Sequence, residues 1–235
     1  MVPPAVDRSA TPLLEMRQVT RHFPTQPPTE ALRGVDLAVE AGHFLAIVGP
    51  SGAGKTTLLN VLALLDRPTS GSYRIEGDEV AELSEHERTA YRAGRFGFIF
   101  QAFHLIAHKT ALENVALAGV YTGRPRAERM DAAAEALAIV GLTDRSGAYP
   151  PTLSGGEKQR VAIARAICGE PKVLFADEPS GNLDSRASGR VLDALDALHE
   201  AGLTIVDVTH DPTVSERAET TIEVFDGVIR PGARL

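Results

Sequence analysis

The sequence predicts an α/β fold around a parallel sheet, and three observations carry that prediction. Residues 44–48, Phe-Leu-Ala-Ile-Val, are apolar on both faces, as a strand covered by helices on two sides must be, and a glycine-rich loop follows at once. A second run of this kind, Val173-Leu174-Phe175-Ala176, ends in the adjacent acids Asp177 and Glu178, with Pro179 stopping the strand. Strand character returns over residues 204–209, separated from the second run by a stretch in which Val191, Leu192, Leu195 and Leu198 form the apolar stripe of a helix.

The remaining elements follow in chain order. Two short strands, residues 14–19 and 35–39, flank the Pro/Thr-rich residues 24–29, which read as an exposed loop. Ser84 and Glu87 have capping-box spacing, so a helix is expected over 85–93, and residues 96–100 return as a strand. The pattern over residues 110–169 is helical: Thr110 with Glu113 is another capping box, and Met130, Ala134, Leu137 and Val140 recur at helical spacing. Near the end, strands 221–225 and 228–230 are joined by Asp226-Gly227, a strong hairpin signal.

With 235 residues, 43% of them hydrophobic and 23% charged, the chain is long enough to bury a sizeable core, and one domain over 13–235 is expected. The formal charge of −7 and the lack of a basic patch argue against a nucleic-acid partner. A single cysteine, Cys168, forms no internal disulfide and reads as a small buried residue. Residues 1–12 carry three prolines with Asp7 and Arg8, unlike a secretory signal, and are expected to be disordered. The most apolar stretch, 58–65, is interrupted by Asn60 and falls far short of the ~18–20 residues that span a bilayer, so membrane contact is expected only through a partner.

Two constellations carry chemistry. Gly49-Pro50-Ser51-Gly52-Ala53-Gly54-Lys55-Thr56 has two glycines five apart, then Lys and a hydroxyl residue, between a strand and a helix. Such a loop turns successive backbone N–H groups onto a phosphate at a helix N-terminus; Lys55 adds a charge near the β/γ oxygens, and Thr56, with Thr57 beside it, offers a hydroxyl to Mg²⁺. A glycine-rich turn with an exposed lysine is the plain alternative. At the second constellation, Asp177 is expected to hold Mg²⁺ and Glu178 to polarise an attacking water, provided their strand lies beside that of the loop. A strand with a merely polar end is the bland reading.

Leu153-Ser154-Gly155-Gly156-Glu157 then resembles the signature of the ATP-binding-cassette (ABC) ATPases, with Glu157 where that family most often has Gln. From the residues alone, Ser154 and Glu157 form a capping box and the glycines leave N–H groups open to an anion. The resemblance, over residues 13–230, implies a RecA-like P-loop NTPase core with an antiparallel β subdomain and a helical subdomain inserted at about 102–168. It implies that Ser154, Gly155, Gly156 and Glu157 face ATP held by a second copy, with Asp184 of the Ser180-Gly181-Asn182-Leu183-Asp184 loop also crossing that interface, although Asp184 equally makes an ordinary helix N-cap. It further implies that Gln101 contacts Mg²⁺ and passes nucleotide state onward, and that His210 touches the γ-phosphate. Lys55, Gln101, Glu178 and His210 are thus the candidate catalytic residues. The adenine-stacking position, usually Tyr, falls at His22-Phe23, with Phe23 the expected platform and His22 the alternative.

Residues 96–101, His104-Leu105, Glu113-Asn114-Val115 and 176–184 are similar to the branch of macrolide exporters, lipoprotein-release motors and the cell-division ATPase. That likeness implies an ATP-dependent homodimer at the cytoplasmic face of the inner membrane, powering separate transmembrane permease subunits held near residues 102–110 and the helix after them. Export and mechanical signalling to an outer partner are both compatible with it. A soluble cassette ATPase of DNA repair or translation is disfavoured, because such relatives carry two cassettes or a long coiled-coil insert.

Overall fold

A computed structural model describes residues 11–230. The first ten residues of the segment expected to be disordered, and residues 231–235, lie outside the described part. In chain order the elements are β1 (Leu14–Phe23), β2 (Thr29–Val39), β3 (Phe44–Val48), α1 (Lys55–Leu62), β4 (Ser70–Ile75), β5 (Asp78–Glu79), α2 (Glu85–Arg92) and β6 (Phe96–Phe100). There follow α3 (Ala111–Ala116), α4 (Arg126–Ile139), α5 (Gly155–Ile167), β7 (Val173–Asp177), α6 (Ser185–Glu200), β8 (Thr204–Val208), α7 (Pro212–Arg217), β9 (Thr220–Phe225) and β10 (Val228–Arg230).

Strands β9, β3, β8, β7 and β6 lie in that order as a parallel sheet, with β10 antiparallel at the β9 edge. Period-two alternation divides their side chains between two cores. Leu45, Ile47, Phe175, Val206 and Val208 face one way, onto Leu58, Leu59 and Leu62 of α1 and the smaller sheet. Phe44, Leu174, Ala176 and Ile205 face the other, onto Val161 and Ile163 of α5 and Val191, Leu192 and Leu195 of α6. Burial on both faces is why β3 and residues 173–176 of β7 read as unbroken apolar runs.

The smaller sheet is antiparallel, in the order β2-β1-β4-β5. Strand β1 runs on to Phe23 and β2 begins at Thr29, so both are longer than the sequence suggested, with residues 24–28 between them. The β4–β5 hairpin was not legible in the sequence. Its anchor is Tyr73, fully buried, whose hydroxyl donates to Leu62 O at 2.5 Å and so closes the last turn of α1.

Three helices begin with a Ser or Thr cap answered by a Glu three residues on: Ser84 with Glu87, Thr110 with Glu113, and Ser154 with Glu157. Each pair satisfies two N–H groups that the helix cannot. One stripe differs from expectation: on α4 the buried face is Ala133, Ala136 and Leu137, leading to Val140, while Ala134 is exposed. A run rich in alanine weakens the contrast between faces, and packing against α3 and α5 decides the rotation.

Helices α3 to α5 sit between β6 and β7 in the chain and share one core. The loop entering α3 is pinned from both sides. Buried Asn114 accepts from Ile106 N at 2.7 Å and donates to the carbonyls of Ile106, Lys109 and Thr110. Arg165 donates to Phe103 O at 2.9 Å and His104 O at 2.6 Å.

Candidate active site

The loop of residues 49–54 joins β3 to α1 and is gripped by its surroundings. Gly49 and Gly54 have φ of 145° and 107°, and a Cβ on either would lie 2.1 Å from Val224 O or 2.4 Å from Ala31 O. Only glycine fits such an approach. The Asp226-Gly227 turn holds the loop from outside: Gly227 N donates to Ala53 O at 2.9 Å and its carbonyl accepts from Arg33 N at 2.8 Å. Arg33 in turn pairs with Asp226 at 2.8 Å and Glu30 at 3.5 Å. Helix α1 has neither a side-chain cap nor an acid in its first turn, which suits its N-terminus to an anion. Lys55 Nζ donates to Gly49 O at 2.8 Å and Pro50 O at 2.9 Å. A cavity of about 440 Å³ joins this loop, Thr56 and Thr57 to Phe23 and Asp226. Of the two candidate platforms, Phe23 lines the cavity, while exposed His22 lies 3.8 Å from Glu30.

The second group sits at the C-terminal ends of β6, β7 and β8, where a doubly covered parallel sheet places its chemistry. The strand of Asp177 is not beside the loop strand, so that condition is not met directly: β8 lies between β3 and β7. The two ends are joined through it. Glu178 N donates to Val208 O at 2.8 Å and Thr209 N to Ile47 O at 3.1 Å. Glu178 takes φ of 50°, a strained left-handed conformation for a side-chain-bearing residue, and its Oε1 lies 2.9 Å from His210 Nδ1.

Gly181 gathers this group, since a Cβ there would lie 3.0 Å from Gln101 Nε2 and 3.3 Å from Glu178 Oε2. Gln101 and Asn182 exchange amide hydrogen bonds, Gln101 Nε2 to Asn182 Oδ1 at 3.3 Å and Asn182 Nδ2 to Gln101 O at 3.2 Å. Glu178 and His210 line a cavity of about 560 Å³ with Ser180, Gly181 and Thr209.

Negative charge is concentrated here. Burial and neighbouring Glu178 push the Asp177 carboxyl up from its ordinary range, with Lys55 pulling it back. Beneath lies a residue the sequence reading passed over. Asp207, next to last in β8, has no exposed surface, its two carboxylate oxygens have no hydrogen-bond partner, and burial followed by the charges of Asp177, Glu178 and Asp211 raises its pKa strongly. The signal was visible as one acid inside Thr-Ile-Val-Asp-Val.

The fit to Mg²⁺ rests on half-buried Asp177 beside Glu178, with Lys55 as the cation set against them. Among the described residues no three His, Cys, Asp or Glu side chains are grouped to hold a metal unaided. One carboxylate, a hydroxyl and substrate phosphates are the usual set for that ion, so the residues present match it.

Ser154, Gly155, Gly156 and Glu157 line neither cavity. They start α5 beside the 180–184 loop: a Cβ on Gly155 would lie 3.3 Å from Leu183 Cδ2, and one on Gly156 2.8 Å from Ala187 Cβ. Asp184 caps α6 through Ala187 N at 2.8 Å.

A glycine-rich loop and lysine after β3, with a strained glutamate and a histidine at the neighbouring ends of β7 and β8 of the same parallel sheet, define the chain as a P-loop ATPase cassette with an antiparallel sheet and a helical lobe. Residues 32–181 match the family described as ABC transporter. The sequence is 49% identical over 217 residues to a macrolide export ATP-binding/permease protein, MacB, of Rhodopseudomonas palustris, covering 92% of this chain and 33% of that protein. Identity to MacB of Escherichia coli K12 is 46% over 220 residues, covering 93% and 34%. The chain therefore spans about a third of the length of these curated relatives. In structure it is similar to the ATP-binding cassette MJ0796, solved as a dimer in a post-hydrolysis state with ADP and Pi, with a TM-score of 0.84, 37% identity and coverage of 92% and 96%. The chain belongs to the ABC transporter family and carries its ATP-binding, ATP-hydrolysing cassette.

Proposed function

We propose that this cassette works as a homodimer at the cytoplasmic face of the inner membrane, powering a permease by closing on ATP and opening after hydrolysis. The observation that carries the reading is the junction of Lys55, Asp177, Glu178 and His210 at the ends of β3, β7 and β8. Backbone N–H groups of residues 49–56 bind the phosphates, and Lys55 exchanges the carbonyls of Gly49 and Pro50 for β/γ oxygens. Thr56, Asp177 and Gln101 would hold Mg²⁺, which neutralises developing phosphate charge when bound. Glu178 orients and deprotonates water, and His210, in contact with Glu178, reaches the γ-phosphate. Phe23 stacks on adenine. Ser154, Gly155, Gly156, Glu157 and Asp184 complete the site of the opposite copy.

The membrane partner fits a separate surface. Phe98, Phe100, His104, Ala118 and Arg165 line a largely apolar groove of about 430 Å³ between the sheet and the helical lobe. The adjoining 103–110 loop is held rigid by Asn114 and Arg165, as a socket transmitting force requires. Among the described residues no helix is long and apolar enough to cross a membrane. What the permease moves, or whether it signals to an outer partner, is a property of that partner; the names of the relatives favour export.

Two substitutions test the assignment. Lys55→Ala should weaken nucleotide binding at least tenfold, measured by titration calorimetry, since a charge-assisted contact to phosphate is worth about 1.5–3 kcal/mol; wild-type affinity would remove the loop from the site. Ser154→Arg should leave binding to the single chain intact and abolish ATP-dependent dimers on size exclusion, and dimers that persist would reject the cross-subunit role.

A further inference from the structure

Arg21 is not one of the residues lining the nucleotide cavity, yet its guanidinium carbon stands 4.3 Å from the ring centroid of Phe23, whose ring does line it. The guanidinium is held in place. Its Nε donates to Asp66 Oδ2 at 2.8 Å, and both side chains are largely buried, 19% and 25% exposed. Asp66 belongs to the loop after α1, where its N–H is bonded to Asn60 O at 3.0 Å. The end of β1 is tied to the same loop by Thr69 N to Thr20 O at 2.8 Å and by His22 N to Thr69 Oγ1 at 3.0 Å.

From this geometry we infer that Arg21 is a positioning and specificity residue for the nucleotide base: it backs the far face of Phe23 and, through Asp66, fixes the aromatic platform relative to the phosphate-binding helix. The inference rests on the reading of Phe23 as the adenine platform. Helix α1 begins with Lys55 on the phosphates and its C-terminal loop carries Asp66, so the bridge links the two ends of the bound nucleotide through one rigid element. A cation over one ring face draws π density towards itself, because it is attracted by the negative quadrupole there. The open face then becomes a better partner for a large, electron-rich purine than for a smaller pyrimidine. Arginine suits this task because its planar group stacks on the ring while one edge hydrogen-bonds the carboxylate.

Binding of ATP and CTP to the full chain, with kcat and KM for ATP hydrolysis, tests the proposal on Arg21→Gln, Arg21→Lys, Asp66→Asn and Phe23→Ala. Arg21→Gln should weaken ATP binding and raise KM by about five- to twentyfold, with kcat within about twofold and CTP affected much less. Arg21→Lys should recover part of the loss, and Asp66→Asn should shift ATP in the same direction as Arg21→Gln. Unchanged ATP affinity in Arg21→Gln beside a weakened Phe23→Ala would reject Arg21 and leave the platform standing. Full affinity in Phe23→Ala would reject the platform and the role of Arg21 together. Equal losses for ATP and CTP with a lowered Tm would reduce Arg21 to a structural ion pair and overturn the proposal.

Discussion

Glu178→Gln should bind ATP as the wild type does and accumulate as a stable dimer, while turnover falls by about two to four orders of magnitude, the usual contribution of a positioned general base. The amide keeps the shape of the side chain and can still contact His210, whose Nδ1 stands 2.9 Å from Glu178 Oε1, but it cannot take a proton from water. The left-handed backbone at Glu178 and the bond from its N–H to Val208 O are untouched by the change, so folding is preserved. Single-turnover hydrolysis and size exclusion with ATP measure the two halves of the result. A wild-type rate would assign the base to another residue. Recovery of the trapped protein from membranes, together with a permease, would connect the same variant to its proposed partner.

The second large effect is on stability. Asp207→Val should stabilise the chain by roughly 1–3 kcal/mol from removal of an unsatisfied buried polar group alone, and by more as pH rises. The valine is β-branched, suits a strand, and has Ala46 and Ala176 as its neighbours across β8. The pH term has a definite sign. Burial raises the Asp207 pKa well above the carboxylate range of the unfolded chain, with the charges of Asp177, Glu178 and Asp211 adding to it. Between the two values the native state keeps a proton that the unfolded state has released, so stability falls as pH rises, by about 1.4 kcal/mol per pH unit. The valine variant lacks this slope. Its Tm advantage should therefore widen from pH 5 to pH 8, and Asp207→Asn, which keeps a polar group but cannot ionise, should share the flattened profile. Parallel pH curves for wild type and both variants would show that Asp207 is satisfied in solution.

Much of the candidate site was legible because it is local. Two glycines, a lysine and a threonine at fixed spacing describe a turn and a helix start, and an apolar run broken by Asp177 and Glu178 describes the end of a covered strand. The three capping boxes belong to the same class, since Ser154 and Glu157 meet within one turn of helix wherever that helix is placed. The hairpin of β4 and β5 escaped because its short strands alternate weakly, and Tyr73 shows its purpose only when Leu62 O stands opposite its hydroxyl. The face of α4 was misjudged at Ala134 because alanine is tolerated on either side.

By itself the sequence determined the glycine-rich turn after β3, the acids at the end of β7, the starts of the capped helices and the apolar strands β3 and β7, since each depends on residues a few positions apart. Only the tertiary structure decided that β8 separates β3 from β7, that Asp207 is buried without a hydrogen-bond partner near Asp177 and Glu178, that Gln101 meets Asn182, and that Arg21 lies over Phe23. Strand order depends on which faces bury most area together, and partners 81 residues apart, such as Gln101 and Asn182, meet only once that order is set.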